Sequence, residues 1–177
     1  MVALEPDRLK SQTECFIGKP PQSCRSTHTS SQQVADLLSW WYNQCLNSHP
    51  RCNRVSDPAT YPPRLLRVDG EICKLVDTAM MTRGPYTALS YCWGSDPNHL
   101  LLTDTNMSRL LDGIDCADLP QTFQDAMLIT KRLGICYIWI DSLCIVQKGE
   151  SSGRDWLRHL KIMGSIYENC TLNIAAA

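Results

Sequence analysis

Asp141 and Ser142 follow directly on an apolar run, Cys136-Tyr137-Ile138-Trp139-Ile140, that is rich in β-branched and aromatic residues. Such a run reads as a buried strand of a parallel sheet. A carboxylate at its end asks for a reason, because burying it unpaired costs several kcal/mol. In open α/β sheets ligands sit outside the carboxyl ends of the strands, so Asp141 and Ser142 are candidate ligand-binding residues. The competing reading is that Asp141 caps neighbouring backbone N–H groups. A second run, Tyr86-Thr87-Ala88-Leu89-Ser90-Tyr91, leads into Cys92-Trp93-Gly94-Ser95-Asp96-Pro97. Ser90, Tyr91, Trp93 and Gly94 join the candidate set at this second strand end. Gly94 permits a sharp turn, and Trp93 brings a large apolar surface with one N–H donor. Trp93 can equally serve as packing over the end of the sheet.

A different chemistry is offered by Cys45-x3-His49-x2-Cys52. Two thiolates and an imidazole are zinc ligands, and a structural site needs a fourth donor. Cys15, Cys24 and His28 are the candidates for it. The spacing is irregular and weaker than two paired CxxC motifs, and a buried Cys with a loop His explains it as well.

Composition limits what these residues can belong to. The chain has 177 residues, 44% hydrophobic and 20% charged, with a formal net charge of −1. That is an ordinary globular balance. No basic block appears, which argues against nucleic-acid binding. No apolar run has the length of a membrane span. The first ten residues are charged and carry no secretory signal, so the ten cysteines read as reduced thiols in a cytoplasmic protein. Neither GxGxxG nor GxxxxGK[ST] is present, which removes the main support for dinucleotide and P-loop folds.

The elements that must position these residues follow in chain order. Residues 1–30 read as a flexible leader. Residues 31–80 hold a helix, the Cys/His segment and a hairpin. The helix is capped by Ser30 or Ser31, with Val34, Leu37, Leu38, Trp41 and Cys45 on its apolar face. The hairpin is signalled by Asp69-Gly70 between alternating runs, and the Asp-Gly turn predicts positive φ. Residues 81–177 form the α/β domain. Leu100-Leu101-Leu102 is a candidate short strand. Leu119-Pro120 opens a helix over 121–133 with Phe123, Ala126, Met127, Thr130 and Leu133 buried, and Gly134 ends it. Asp155 caps a helix over 155–168 whose buried face is Trp156, Leu160, Met163 and Tyr167. Thr171 to Ala175 is the last strand. The order strand, helix, strand, helix, strand predicts right-handed crossovers and a mainly parallel, flavodoxin-like sheet flanked by helices. A sheet that stops on an unprotected strand reads as an incomplete domain.

Taken together, these segments resemble the fungal heterokaryon incompatibility (HET) domain. The residues that carry the resemblance are Pro63-Arg64-Leu65-Leu66, the stretches 86–94 and 119–126, Leu133-Gly134, the stretch 137–147, Asp155-Trp156 and Met163-Gly164-Ser165-Ile166-Tyr167. The resemblance implies non-self recognition between fungal strains with cell death as output, acting through protein partners or self-association. It also implies a fold similar to Toll/interleukin-1-receptor (TIR) domains. Some TIR-like domains hydrolyse NAD with a glutamate three residues after a Trp. Here the Trp is Trp156 and His159 stands at the glutamate position, while Lys148 follows the Gln of the central motif. As an alternative, the resemblance therefore implies an NAD-hydrolysing site with Asp141 and His159 as catalytic candidates. Asp141 would supply the negative charge that an oxocarbenium-like centre requires. Trp156 and His159 share a helix face, which predicts that both turn toward the sheet, and His159→Glu is the exchange expected to restore the missing carboxylate. A thiol hydrolase using Cys144 or Cys92 with His159 is a third reading, and it needs a base within hydrogen-bond reach.

Overall fold

The computed structural model describes residues 28, 31–50, 52, 58–94 and 100–176. The leader (except His28), Cys15, Cys24 and the turn residues Ser95, Asp96 and Pro97 lie outside the described residues. The chain forms two compact units, 1–53 and 54–177.

In the first unit, helix α1 spans Gln32–Ser48, and the Ser31 hydroxyl accepts the Val34 N–H at 3.3 Å as its cap. The apolar face expected there is only partly covered. Ala35 is the residue buried, and Trp41 remains exposed.

The second unit is built on a six-stranded mixed sheet of order β4-β2-β1-β5-β3-β6. The strands are β1 Arg64–Arg67, β2 Ile72–Asp77, β3 Thr87–Tyr91, β4 Ile114–Asp115, β5 Tyr137–Ile140 and β6 Leu172–Ala176. The expected mainly parallel sheet is corrected. Only β5-β3 and β3-β6 pair in parallel, while β1-β2, β1-β5 and β2-β4 are antiparallel. The cause is the hairpin. It leads into the sheet: β1 takes the place beside β5, with Leu66 opposite Ile138 and Arg67 opposite Tyr137. The strand–helix–strand pattern counted only the crossovers and so missed this insertion.

The hairpin turn also differs from expectation. Pairing ends at Arg67 opposite Lys74, so the loop is longer than two residues and Gly70 has no positive φ. Its backbone groups are used elsewhere. Val68 N–H donates to Cys136 O at 2.8 Å, Gly70 O accepts from Lys131 Nζ at 2.6 Å, and Glu71 O accepts from Cys116 N–H at 3.0 Å.

The polar stretch after β3 is more structured than its composition suggests. Leu100–Leu102 is not a strand. Leu102 is buried instead, its N–H donating to Ser142 O and its carbonyl accepting from Gln147 N–H, each at 2.8 Å. Helix α2 Met107–Asp112 and strand β4 follow, joined by Gly113 at φ 115°. A Cβ at Gly113 would lie 2.5 Å from Ile72 Cγ2, so the position is closed to other residues both sterically and conformationally.

Helix α3, Gln121–Arg132, buries Phe123, Ala126, Met127 and Thr130 as its periodicity predicts, and Gly134 follows at φ 72°. Thr130 hydroxyl meets the buried Thr87 hydroxyl of β3 at 2.7 Å, so the helix is tied to the sheet by a polar pair inside the core. A four-residue helix, α4 Asp141–Cys144, starts where β5 stops. The helix expected over 155–168 is two helices, α5 Ser152–Leu160 and α6 Met163–Asn169. The expected face is also wrong for α5, where Asp155 is turned inward to Arg64. Trp156, Leu157 and Leu160 are 42, 59 and 55% exposed, and His159 is the residue fully buried. Asp155 lies inside the first turn and is not the cap; its carboxylate points to β1 and to the segment after α4.

Candidate functional site

β3 and β5 run in parallel with Leu89 opposite Ile140, so their next residues, Ser90 and Asp141, arrive at the same rim. The structure brings four of the candidate residues there into two hydrogen-bonded pairs. Trp93 Nε1–H donates to Asp141 Oδ2 at 2.9 Å, and Tyr91 O–H donates to Ser142 Oγ at 2.8 Å. The other carboxylate oxygen of Asp141 accepts the Ser142 N–H at 2.6 Å, and Gln147 Nε2 donates to the Asp141 carbonyl at 3.2 Å. The carboxylate is thus held by an indole and by the Ser142 backbone N–H in α4. This holds the strand end, the turn after β3 and α4 as one body. Gly94, which follows Trp93, has φ 68°, a conformation that favours glycine.

Ser90 is exposed and Ser142 is buried, so the two hydroxyls are not equivalent. Burial pushes the Tyr91 hydroxyl pKa well up, and the neighbouring Asp141 charge adds to this, so Tyr91 is a neutral donor at physiological pH. Burial, with a further contribution from Asp141, also pushes Tyr167 up to about 12. Tyr167 packs edge-on against Trp139 at 5.2 Å between ring centres. The Trp139 indole N–H is buried without a hydrogen-bond partner among the described residues.

His159 is not drawn into this group. Its Nδ1 lies 2.9 Å from the Asp155 carbonyl and 3.7 Å from the Asp155 carboxylate, and the residue is 0% exposed. A carbonyl only accepts, so Nδ1 carries the proton and Nε2 presents its lone pair to a site without a donor. Burial lowers the His159 pKa and outweighs the opposing pull of Asp155, which keeps the ring neutral. The premise that Trp156 turns this helix face to the sheet is reversed: His159 goes in and Trp156 stays out.

Sequence reasoning missed the group beside His159. The Arg64 guanidinium, at the start of β1, pairs with the Asp155 carboxylate, and their side chains are only 15 and 11% exposed. Arg64 Nε–H donates to Cys144 O at 2.9 Å, and the Val146 N–H donates to Asp155 Oδ2 at 2.7 Å. One carboxylate therefore ties β1, α5 and the stretch after α4 together. The available signal was an arginine and an aspartate each set directly beside apolar residues, far apart in the chain.

The thiol reading loses its main residue. Cys144 is buried, and burial pushes its thiol up to about 12, far from a thiolate nucleophile. Cys92 is exposed, and no base is placed beside it among the described residues.

In the first unit, the donor atoms of Cys45, His49 and Cys52 all lie within 4.8 Å of one another. The two sulfurs are 2.9 Å apart, and His49 Nδ1 is 3.4 Å from Cys45 Sγ. The Cys52 thiol beside it is the largest influence raising the Cys45 pKa. Two sulfurs bound to one tetrahedral zinc at about 2.3 Å would stand roughly 3.7 Å apart. The pair must therefore open slightly to hold a metal. Cys45 lies in the last turn of α1 and is half-buried, and Cys52 beyond the helix is exposed. His28 is not part of the three-donor group.

A family model described as Heterokaryon incompatibility protein (HET) matches residues 86–177, just over half the chain. The match takes in β3, the strand-end pairs, α3 and everything after it. No curated protein and no solved structure matches the chain.

Proposed function

The chain belongs to the heterokaryon incompatibility family, and we propose that it acts in fungal non-self recognition, as a cytoplasmic module that signals cell death by associating with protein partners or with itself. The observation that carries this reading is the coincidence of the matched segment with the Trp93–Asp141 and Tyr91–Ser142 pairs. These pairs spend polar groups on fixing the shape of a rim, as a recognition surface requires. Among the described residues they leave no activated nucleophile there. Two observations weigh against the NAD-hydrolysing alternative: both Asp141 oxygens accept N–H groups, and His159 of α5 is fully buried. Likeness to TIR domains rests on the parallel trio β5-β3-β6 alone.

The test is induced expression of the full chain in a filamentous fungus, scored by colony viability. Induction should lower viability, and Trp93→Ala should abolish the effect at equal protein level. Verified accumulation without any loss of viability would sink the proposal. Nicotinamide release from NAD by purified wild-type chain, lost in Asp141→Asn, would instead establish the hydrolytic reading.

The Cys45, His49 and Cys52 group fits a structural zinc in donor chemistry, with a fourth ligand from water or from residues outside those described. Metal analysis should find stoichiometric zinc that is lost in Cys52→Ser. Its absence from chain purified without chelator ends this assignment.

A further inference from the structure

A cavity of about 640 Å³ opens in the second unit between the end of β2, the approach to β1 and helix α5. Its size lies in the range of small-molecule sites. Four of its lining residues are cationic: Arg83, Arg154, Arg158 and Lys161. The only carboxylate among them, Asp77, is already used, accepting the Ala79 N–H at 2.8 Å as the cap of a 3-10 turn.

This concentration of charge is not inherited from the chain, whose formal net charge is −1. Nor is it neutralised by an ion pair among the described residues. The ion pairs among the described residues are those of Arg64 with Asp155 and Arg67 with Asp69, and none of the four cavity cations takes part. Arg154 and Arg158 are four residues apart on α5, and Lys161 follows three further on at its C-cap, so the three charges gather along one side and weakly repel one another. An anion seated among these four side chains would be drawn to all of them at once. The lining is also not uniformly polar. Arg83 lies over the Tyr61 ring at 5.9 Å, and Leu157, 59% exposed, adds an apolar wall. Guanidinium forks match phosphoryl oxygens in pairs, whereas an ammonium adds a point charge.

We infer that this cavity is a binding site for a small molecule carrying at least two phosphoryl charges, held by Arg83, Arg154, Arg158 and Lys161. It is separate from the Trp93–Asp141 rim and independent of the function proposed above. The ligand bridges α5 to the segment after β2, so binding stiffens a helix that otherwise leaves three large apolar side chains in water.

The test is calorimetric titration of the full chain with inorganic pyrophosphate and with a nucleoside triphosphate, with melting temperature as a second readout. Vesicles containing a phosphoinositide form a separate arm. Saturable binding of a soluble probe is expected, with a rise in melting temperature. The exposed-site variant Arg158→Gln/Lys161→Gln should weaken binding by about tenfold or more, since charge-assisted contacts are the strong ones. Arg158→Lys, which keeps the charge and loses the fork, should fall between. Arg132→Gln, on α3 outside the cavity, should change little. No binding of either soluble probe at millimolar concentration by folded protein would overturn the inference. Equal weakening by Arg132→Gln would show diffuse attraction and overturn it too, as would binding to vesicles alone.

Discussion

Asp155→Ala should be among the most damaging single substitutions in the second unit. It removes the partner of Arg64 and the acceptor of the Val146 N–H in one step. What remains for the guanidinium is the Cys144 carbonyl. Breaking a buried ion pair from one side costs about 3–5 kcal/mol, and orphaning a backbone N–H costs about 1–3 kcal/mol. The two do not add, because a single oxygen, Oδ2, serves both partners. The residual 11–15% exposure also lets water reach the freed groups. A net loss of roughly 3–4 kcal/mol follows, which lowers the melting temperature by about 10 °C for a chain of this length. Asp155→Asn keeps an acceptor for Val146 and should cost clearly less. Arg64→Met/Asp155→Leu replaces both charges and should recover more than half of the loss. The assay is urea unfolding followed by tryptophan fluorescence and circular dichroism. A loss below about 1 kcal/mol for Asp155→Ala, or a double variant as unstable as the sum of its parts, would refute this account of the Arg64–Asp155 tie.

Trp93→Phe removes one donor from the Asp141 carboxylate and should cost about 1–2 kcal/mol by the same denaturation assay. Thr130→Val leaves the buried Thr87 hydroxyl without its partner and should cost about 1–2 kcal/mol, with Thr87→Val/Thr130→Val recovering part of it. His159 has a folded pKa below its ordinary 6.5, so the unfolded chain binds more protons once pH falls below that value. Stability should therefore drop as pH falls from about 7 toward 5, and the slope should flatten in His159→Gln. His159→Glu, the exchange that sequence reasoning favours for restoring catalysis, should unfold rather than activate. It puts a second carboxylate beside Asp155 at a position that is 0% exposed, and thermal melting will show it.

The parts of the fold legible in the sequence were those with unambiguous period and strong punctuation. Thr87–Tyr91, Tyr137–Ile140 and Gln121–Arg132 announce themselves by apolar runs, a helical stripe, Pro120 and Gly134. The meeting of Trp93 with Asp141 followed from placing both at strand ends. Sheet order was not legible, because nothing local says that β1 will occupy the place beside β5. The face of α5 was misread because large apolar residues were taken to mark the inside. Arg64 pulls Asp155 inward, His159 follows one turn later on the same side, and Trp156 is left out by helical geometry. The short elements α2 and β4 depend on contacts with β2, so their own composition gives them little signal.

The junction between the antiparallel and parallel halves of the sheet also bears on the order of folding. β1 and β2 pair through a nearby turn, whereas the Arg64–Cys144 contact that reinforces β1 against the chain beyond β5 joins residues 80 positions apart, and Arg64–Asp155 spans 91. Closing loops of that length costs entropy before any contact repays it. The hairpin is therefore expected to form early and wait, with an unpaired β1 edge, until β5 and α5 arrive. During that interval β1 is the strand most open to pairing with another chain. Refolding yield should consequently fall with protein concentration, and it should fall more steeply in Asp155→Ala, where the late contact that closes the edge is missing.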